Sequence, residues 1–342
     1  MSTTADRHAW SRPEPEPVAP GVLRVPLPLP LDALRAVNVY VLDDGAGLTA
    51  IDGGWTLTTS RELLDSALAG LGAGVGDIAR FLVTHMHRDH YTQAVALRRE
   101  TGARVALGSG ERGSLDAVTG RAAPFAPQIT GLRAAGAPEL ADRIVAGAPQ
   151  MSEDEFADFA GPDDWIADGE RIEVGGRVLT AVETPGHTLG HLVFERDDAL
   201  FAGDHVLPHI TPSIGFEPGA RPGALQRFLS SLALVRSRPD RLLLPAHGPV
   251  APSVHARVDE LLDHHTARLD EIERVVLGGA ATGAEAAGAL TWTRRETKLE
   301  DLEPFHRMLA VLETDAHLEV LAAQGRLVRT EDASGVLQHL AA

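Results

Sequence analysis

Four side chains of metal-binding type lie within six consecutive residues, directly after an apolar run typical of a buried strand. The run is Ile78–Val83, and the side chains are His85, His87, Asp89 and His90. Imidazole and carboxylate groups packed this closely need either solvent or a cation to offset the cost of burial. On a loop, alternating residues can converge on one point, whereas helical spacing would scatter them. The sequence therefore predicts a metal site at the end of this strand.

Three later segments each place a further candidate ligand where a predicted strand meets a turn. They are Thr184-Pro185-Gly186-His187, Ala202-Gly203-Asp204-His205 and Pro245-Ala246-His247-Gly248. Any one of them alone is more often a surface or hydrogen-bonding group, but together they complete a set of ligands. The chain contains no cysteine, so thiolate ligands and disulfides are excluded and His and Asp must form any transition-metal site.

Strand and helix patterns alternate around these motifs and favour an α/β layer architecture. Strand-like text runs from residue 21 to Ile51, a helix is predicted at Thr59–Leu71, and strands resume between Arg171 and Leu244 with one helix near Gly223–Arg236. Residues 109–165 lack a strand rhythm and contain helical fragments. We interpret them as an insertion that covers a substrate cleft.

A chain of 342 residues exceeds what a single core usually fills, so two domains are expected. Residues 1–20 are rich in proline and glutamate and are predicted to be flexible or extended. Residues 21–254 form the predicted catalytic domain. Residues 255–342 are predicted to hold three helices and a short hairpin, with a capping box at Thr282-Gly283-Ala284-Glu285.

Charge and hydropathy restrict the expected partners. The formal net charge is −17, and residues 255–342 alone carry −7, which opposes contact with nucleic acid phosphates. The sequence shows no secretory signal pattern and no apolar run of membrane-spanning length. The expected partner is therefore a small-molecule substrate, the expected location is the cytoplasm, and a homodimer is one possible assembly.

The order H-x-H-x-D-H, P-G-H-T, G-D and P-A-H-G resembles the metallo-β-lactamase superfamily over residues 21–250. The resemblance implies a four-layer αββα sandwich with two metal ions in the cleft between its sheets. The C-terminal region resembles the winged-helix-like domain of a branch that includes β-lactamase-like protein 2. One departure is Tyr91-Thr92-Gln93, where many relatives have a small residue followed by two glycines; these larger side chains are expected to narrow the cleft or contact substrate.

The resemblance also implies a role for each candidate ligand. One Zn²⁺ would be bound by His85, His87 and His187, the other by Asp89, His90 and His247, and Asp204 would bridge them. Iron or manganese would suit the same donors. Metal binding can lower the pKa of water to about 7, which would make hydroxide available for attack. Asp89 and Asp204 are the expected catalytic residues, with Asp89 orienting that water or accepting its proton.

Several neighbouring residues have less certain roles. Asp52 either orients a ligand histidine or caps a turn, and His191 is expected to form local hydrogen bonds and not to bind metal. The candidates for the substrate pocket are Trp55, Tyr91, His205 and His209, together with Phe216.

Three classes of function fit these residues. The first is hydrolysis of a carbonyl-type bond, a thioester or ester, as in glyoxalase II-like enzymes, and lactone or β-lactam hydrolysis shares its chemistry. The second is metal-dependent cleavage of RNA or another phosphodiester, which the charge opposes. The third is a binding or scaffold protein without turnover. A hydrolysis screen over acyl, lactone, β-lactam and phosphodiester compounds separates them.

Overall fold

The structure is a computed structural model, and it describes residues 8–30, 34–45, 47–219, 222–293 and 295–342. Its larger sheet has seven strands that lie side by side in chain order. They are β1 (Glu16–Ala19), β2 (Val22–Pro28), β3 (Ala36–Asp43), β4 (Leu48–Ile51), β5 (Ile78–Val83), β6 (Arg104–Gly108) and β7 (Asp164–Ile166). Neighbours from β1 to β4 are antiparallel, and those from β4 to β7 are parallel.

The second sheet has five strands in the order β12-β11-β10-β9-β8. They are β8 (Arg171–Val174), β9 (Arg177–Glu183), β10 (Leu192–Glu195), β11 (Ala199–Gly203) and β12 (Leu242–Pro245). Only β11 and β12 run parallel within this sheet. Buried side chains from both sheets fill the space between them. There Tyr40 and Phe201 pack edge to face with ring centroids 5.4 Å apart.

Helices cover the outer face of each sheet. The first sheet is covered by α1 (Thr58–Ala69) and α2 (Arg88–Thr101), and the second by α7 (Ala224–Arg236) and the C-terminal helices. These four layers confirm the predicted αββα sandwich. Between β6 and β7 lie α3 (Arg112–Thr119), α4 (Ala126–Ala134), α5 (Pro138–Gly147) and α6 (Glu153–Ala157). Short 3₁₀ turns lie at Ala9–Ser11, Val75–Asp77, Ser109–Glu111 and Leu299–Asp301.

The C-terminal region contains α8 (Val254–Leu277), α9 (Gly283–Ala289) and α10 (Pro304–Ala323). Two hairpins accompany them, β13 (Thr291–Trp292) with β14 (Thr297–Lys298), and β15 (Leu327–Glu331) with β16 (Leu337–Ala341). The predicted capping box is present at Thr282 and Glu285. One hydrophobic cluster joins α8 and α10 to α5, α7 and the second sheet. The mainly helical region therefore packs directly on the sandwich, and its separation as a domain at residue 255 stays a prediction, as does its winged-helix character.

Residues 16–19 belong to the segment predicted to be flexible or extended, and they are extended. They form the edge strand β1, which the buried Arg24 anchors by donating to Glu16 over 2.8 Å. Strands β6 and β7 were not predicted. Strand β7 lies at the end of segment 109–165, which was predicted to lack strands. Residues 1–7 lie outside the described residues. Among the described residues, no helix combines the length and apolarity needed to cross a membrane.

Candidate metal centre

The loop after β5 and the first turn of α2 together supply four of the predicted ligands. His85 and His87 lie on the loop, and Asp89 and His90 occupy the first turn of α2. A carboxylate is favoured at this end of a helix because the unpaired N–H groups there carry partial positive charge. The change from strand to helix within six residues turns alternate side chains toward the same cleft.

The other three predicted ligands come from the second sheet, where they follow strand ends at the same edge. His187 follows β9, Asp204 follows β11 and His247 follows β12. Parallel pairing of β11 with β12 brings Asp204 and His247 together, since the carboxyl ends of parallel strands meet at one edge. All seven predicted ligands thus meet in one place, in three overlapping groups of potential metal-binding atoms: His85–His87–His187, His85–His90–Asp204 and Asp89–His90–His247.

Three imidazoles form the first half of the cluster. His87 Nδ1 lies 2.9 Å from His85 Nε2 and 3.0 Å from His187 Nε2. One proton cannot form hydrogen bonds among all three of these ring nitrogens. A cation can accept the lone pairs of all three at once.

Asp204 connects this half to the second one. Its Oδ2 lies 3.5 Å from His187 Nε2, while its Oδ1 lies 3.4 Å from His247 Nε2 and 3.7 Å from His90 Nε2. Asp89 Oδ2 faces the same nitrogens, at 3.3 Å from His247 and 3.6 Å from His90. The two oxygens of Asp204 therefore face two adjoining groups of donors, the arrangement that the bridging role requires.

The donor atoms fit a pair of divalent cations. His90 Nε2, His247 Nε2 and Asp204 Oδ1 are buried and have no hydrogen-bond partner among the described residues. Buried polar atoms are nearly always paired, so three such atoms that face one another suit the binding of a positive ion. Nitrogen and carboxylate donors suit Zn²⁺ and, with less selectivity, iron or manganese.

Each ligand imidazole is held by a hydrogen bond on the nitrogen that faces away from the cluster. The partners are Thr84 Oγ1 for His85 (3.1 Å), Phe216 O for His87 (2.7 Å), Asp52 Oδ2 for His90 (2.9 Å), Ser213 O for His187 (2.7 Å) and Ala36 O for His247 (2.7 Å). The carbonyl and carboxylate partners accept a hydrogen bond from the ring N–H, which leaves the lone pair of the opposite nitrogen directed at the cluster. His87 presents Nδ1, and the other four present Nε2.

The electrostatics divide the histidines into two groups. Burial lowers the pKa of His85 well below its usual value and that of His87 to about 4, so both are neutral and ready to bind a cation. Burial also disfavours the charged form of His90, but Asp89, Asp204 and Asp52 outweigh it and raise its pKa to about 10. The carboxylates around His90 thus favour positive charge in this half of the cluster.

Asp52 contacts a candidate ligand histidine, which agrees with the orienting role, one of the two roles left open by the sequence. Its Oδ1 accepts from the backbone N–H of Thr84 over 2.8 Å, and its Oδ2 accepts from His90. Its φ of 61° is a left-handed conformation, which aspartate tolerates better than most residues. In this backbone conformation the carboxylate of Asp52 holds the ring of His90 by a hydrogen bond.

His191 is confirmed as a local hydrogen-bonding residue. Its Nδ1 lies 2.9 Å from Thr184 Oγ1, and its Nε2 accepts from the backbone N–H of Asp204 over 3.1 Å. Burial lowers the pKa of His191 well below its usual value, which keeps Nε2 free to accept. His191 therefore positions Asp204 from behind the cluster.

Two of the predicted pocket residues are core residues. Tyr91 is fully buried among the side chains between α2 and the first sheet, and its hydroxyl donates to Ala160 O over 2.7 Å. His205 is also fully buried, with its ring centroid 5.2 Å from that of Phe228 on α7. Burial places both side chains in the core, Tyr91 between α2 and the first sheet and His205 against α7, and their contact with substrate stays a prediction. Gln93 likewise donates to Gly53 O over 2.8 Å and supports the loop after β4.

The other pocket candidates stay predictions. Trp55 is half-buried, and the guanidinium of Arg88 lies 5.0 Å from its ring centroid. His209 is exposed on the loop after β11. Phe216 is half-buried beside His87, with ring centroids 6.2 Å apart.

Sequence reasoning missed Glu111. This carboxyl is fully buried, and its Oε1 accepts from Thr188 Oγ1. It thereby ties the 3₁₀ turn Ser109–Glu111 to the loop of His187. Burial, followed by the nearby carboxylate of Glu217, raises the pKa of Glu111 to about 8. A single glutamate in a polar segment carries no signal of such a role.

Comparison with known proteins agrees with this geometry. A family model described as the metallo-beta-lactamase superfamily matches residues 32–247. A metallo-beta-lactamase family protein from Thermus thermophilus superposes with a TM-score of 0.75 at 28% identity, covering 95% of this chain and 99% of that one. A beta-lactamase domain protein from Burkholderia ambifaria superposes with a TM-score of 0.73 at 26% identity, covering 96% and 95%.

Curated relatives match over shorter segments. The atrochrysone carboxyl ACP thioesterase of Aspergillus fumigatus is 29% identical over 154 residues, which is 43% of this chain and 35% of the relative. The beta-lactamase-like protein 2 homolog of Caenorhabditis elegans is 33% identical over 114 residues, 33% and 36%. The lactamase-like protein nscB of Neosartorya fischeri is 33% identical over 117 residues, 33% and 32%. The matches thus span about a third of the length of these relatives.

Proposed function

The chain belongs to the metallo-beta-lactamase superfamily, and from this premise we propose that it hydrolyses a thioester or ester with the help of two divalent metal ions, zinc in the first instance. The observation that carries the proposal is the placement of Asp204. Its Oδ2 faces His187 and its Oδ1 faces His90 and His247, so one carboxylate serves two neighbouring ion positions. In this proposal His85, His87 and His187 hold one ion, and Asp89, His90 and His247 hold the other.

Two such ions supply Lewis acidity toward a carbonyl oxygen and lower the pKa of water to about 7. The protein contributes the geometry. Asp52, Thr84 and three backbone carbonyls lock the imidazoles, which avoids reorganisation during the reaction. Asp89 has 15% of its side chain exposed, whereas His90 and His247 beside it are buried. Its carboxylate is therefore the group best placed to orient the attacking water by accepting a hydrogen bond from it.

Carbonyl substrates are favoured over nucleic acids for two reasons. The formal charge of −17 repels polyanions. One relative with partial coverage is named a thioesterase, which supports the same reaction class here. A phosphodiester remains the competing substrate, because a dinuclear site can also stabilise the charge of an in-line displacement.

The test combines metal analysis with a substrate screen. Purified protein loaded with zinc is expected to retain two ions per chain and to hydrolyse acyl-CoA or acyl-glutathione faster than a lactone, a β-lactam, bis-p-nitrophenyl phosphate or single-stranded RNA. Asp204→Asn is expected to lower both zinc content and turnover, whereas Asp44→Asn, which alters an ion pair with Arg80, is expected to change neither. Failure to bind zinc, iron or manganese under any loading condition rejects the proposal, and a preference for the phosphodiesters replaces it with the second reaction class.

A further inference from the structure

Three phenylalanines from separate parts of the chain form one ring cluster beside the metal ligands. Phe125 precedes α4, Phe216 lies on the loop before α7, and Phe305 lies in the first turn of α10. Their ring centroids are 5.5 Å apart for Phe216 and Phe305, 5.9 Å for Phe125 and Phe216, and 6.1 Å for Phe125 and Phe305. We call these three residues the phenylalanine cluster.

The phenylalanine cluster is continuous with the candidate metal centre. The carbonyl oxygen of Phe216 accepts from His87 Nε2 over 2.7 Å, and the two rings are 6.2 Å apart. His87 and Asp89 are the half-buried ligands, while the other five ligands are buried. These two ligands mark the part of the cluster nearest to solvent, and the ring of Phe216 lies beside one of them, His87.

The rings are not sealed in the core. Phe305 is 40% exposed, and Phe125 and Phe216 are half-buried. Aromatic rings left in contact with water cost free energy unless another apolar group covers them. An apolar surface that adjoins a reactive centre and has a few polar groups next to it is the usual composition of a small-molecule site.

We propose that the phenylalanine cluster binds the acyl group of the substrate and selects a large apolar acyl group, aromatic or long-chain, over a small one. This inference rests on the proposed function, because it places the carbonyl carbon at the metal ligands and the acyl group against the rings. Phe305 makes the C-terminal region part of the substrate site, and Phe125 does the same for the insertion. Edge-to-face packing, with 86° between the planes of Phe216 and Phe305, leaves ring faces that suit a flat acyl group.

Phe305→Ala tests the proposal because it removes the most exposed ring without touching a metal ligand. Zinc-loaded protein is assayed with acetyl, octanoyl and 2-naphthoyl thioesters of N-acetylcysteamine. The wild type is expected to prefer the two large acyl groups. Phe305→Ala is expected to lower kcat/KM for these two by about tenfold, mainly through KM, and to leave the acetyl substrate unchanged.

Leu277→Ala is the matched control, since Leu277 is 59% exposed at the end of α8 and lies outside the phenylalanine cluster. It is expected to behave as wild type on all three thioesters. An equal loss on all three substrates with Phe305→Ala would assign the rings a purely structural role and overturn the proposal. A larger loss for 2-naphthoyl than for octanoyl identifies an aromatic acyl group as the natural occupant, and the reverse identifies an alkyl chain.

Binding measurements separate this proposal from the proposed function. Zinc-loaded wild type is titrated calorimetrically with 2-naphthoate, octanoate and acetate, which need no turnover. At least one large carboxylate is expected to bind about tenfold more tightly than acetate, and Phe305→Ala is expected to remove that difference. If no thioester is hydrolysed but this preference is observed, the reaction class is wrong and the apolar subsite stands. Equal affinity for all three carboxylates overturns the subsite whatever the activity.

Discussion

His90 donates a hydrogen bond from its Nδ1–H to Asp52, with 2.9 Å between Nδ1 and Oδ2. Asp52 also accepts from the backbone N–H and the hydroxyl of Thr84, so its two oxygens serve three donors. In Asp52→Asn one oxygen becomes an NH₂ group that faces a donor, and either His90 or Thr84 loses its acceptor. We expect zinc affinity to fall by about 10- to 100-fold, the usual effect of losing an acceptor behind a ligand histidine.

Asparagine is the informative substitution because it also tolerates the φ of 61° at this position. Zinc affinity is measured by competition with a chelating dye. The control is Asp44→Asn, which removes a carboxylate paired with Arg80 away from the ligands. Wild-type affinity in Asp52→Asn would show that His90 keeps its orientation without this hydrogen bond.

His191 holds Asp204 through the backbone and not through a metal. Its Nε2 is the acceptor for the Asp204 N–H. His191→Ala leaves this N–H without an acceptor and is expected to lower the free energy of unfolding by about 1–3 kcal/mol. His191→Gln offers a carbonyl oxygen at similar reach and is expected to lose less. Urea unfolding in the presence of a chelator measures the difference, and equal losses would contradict the role assigned to this hydrogen bond.

The candidate ligands that meet in the structure could be selected from sequence because they lie in short motifs at strand ends. His187 and Asp204 follow strands that the alternation of apolar residues also indicates. The groups that orient the histidines could not be predicted in the same way. His87, His187 and His247 rely on the carbonyl oxygens of Phe216, Ser213 and Ala36, which any residue type supplies.

Tyr91 shows that a residue next to a candidate ligand in sequence can lie in the core. It follows His90 directly, but successive residues of a helix point in directions about 100° apart. His90 faces the cluster from α2 while Tyr91 enters the core on the side of the first sheet. The phenylalanine cluster could not be predicted from sequence. Its successive members are about ninety residues apart in the chain and meet only through tertiary packing.

Gly203 allows Asp204 and His191 to approach each other. Its φ is 50°, and a Cβ there would lie 2.6 Å from His191 Nε2 and 2.8 Å from Thr84 Cβ. Gly203→Ala is expected to lower the free energy of unfolding by roughly 2–4 kcal/mol through strain and overpacking. Gly72→Ala is the matched control, since Gly72 has a φ of 75° and open space around its Cβ position. It should cost about 1 kcal/mol from backbone strain alone, and an equal cost in both variants would show that the close contact is unimportant.

Glu111 gives the fold a specific dependence on pH. Burial and the Glu217 carboxylate raise its pKa from the usual 4.5 to about 8. Below the usual value both the folded and the unfolded chain hold the proton. As the pH rises toward the folded pKa, the unfolded chain releases the proton while the folded chain keeps it, so this group's contribution to stability is lost by up to about 1.4 kcal/mol per pH unit.

Glu111→Gln removes this titration and keeps an oxygen that can accept from Thr188. We therefore expect the free energy of unfolding of the variant, relative to wild type, to increase by roughly 3 kcal/mol between about pH 5 and about pH 8. Urea denaturation of both proteins in the same chelating buffers measures this difference, and contributions from the ligand histidines cancel because both chains share them. A difference that does not change with pH would mean that Glu111 ionises in the folded protein as readily as in the unfolded one, and that its carboxylate, not its acid form, accepts from Thr188.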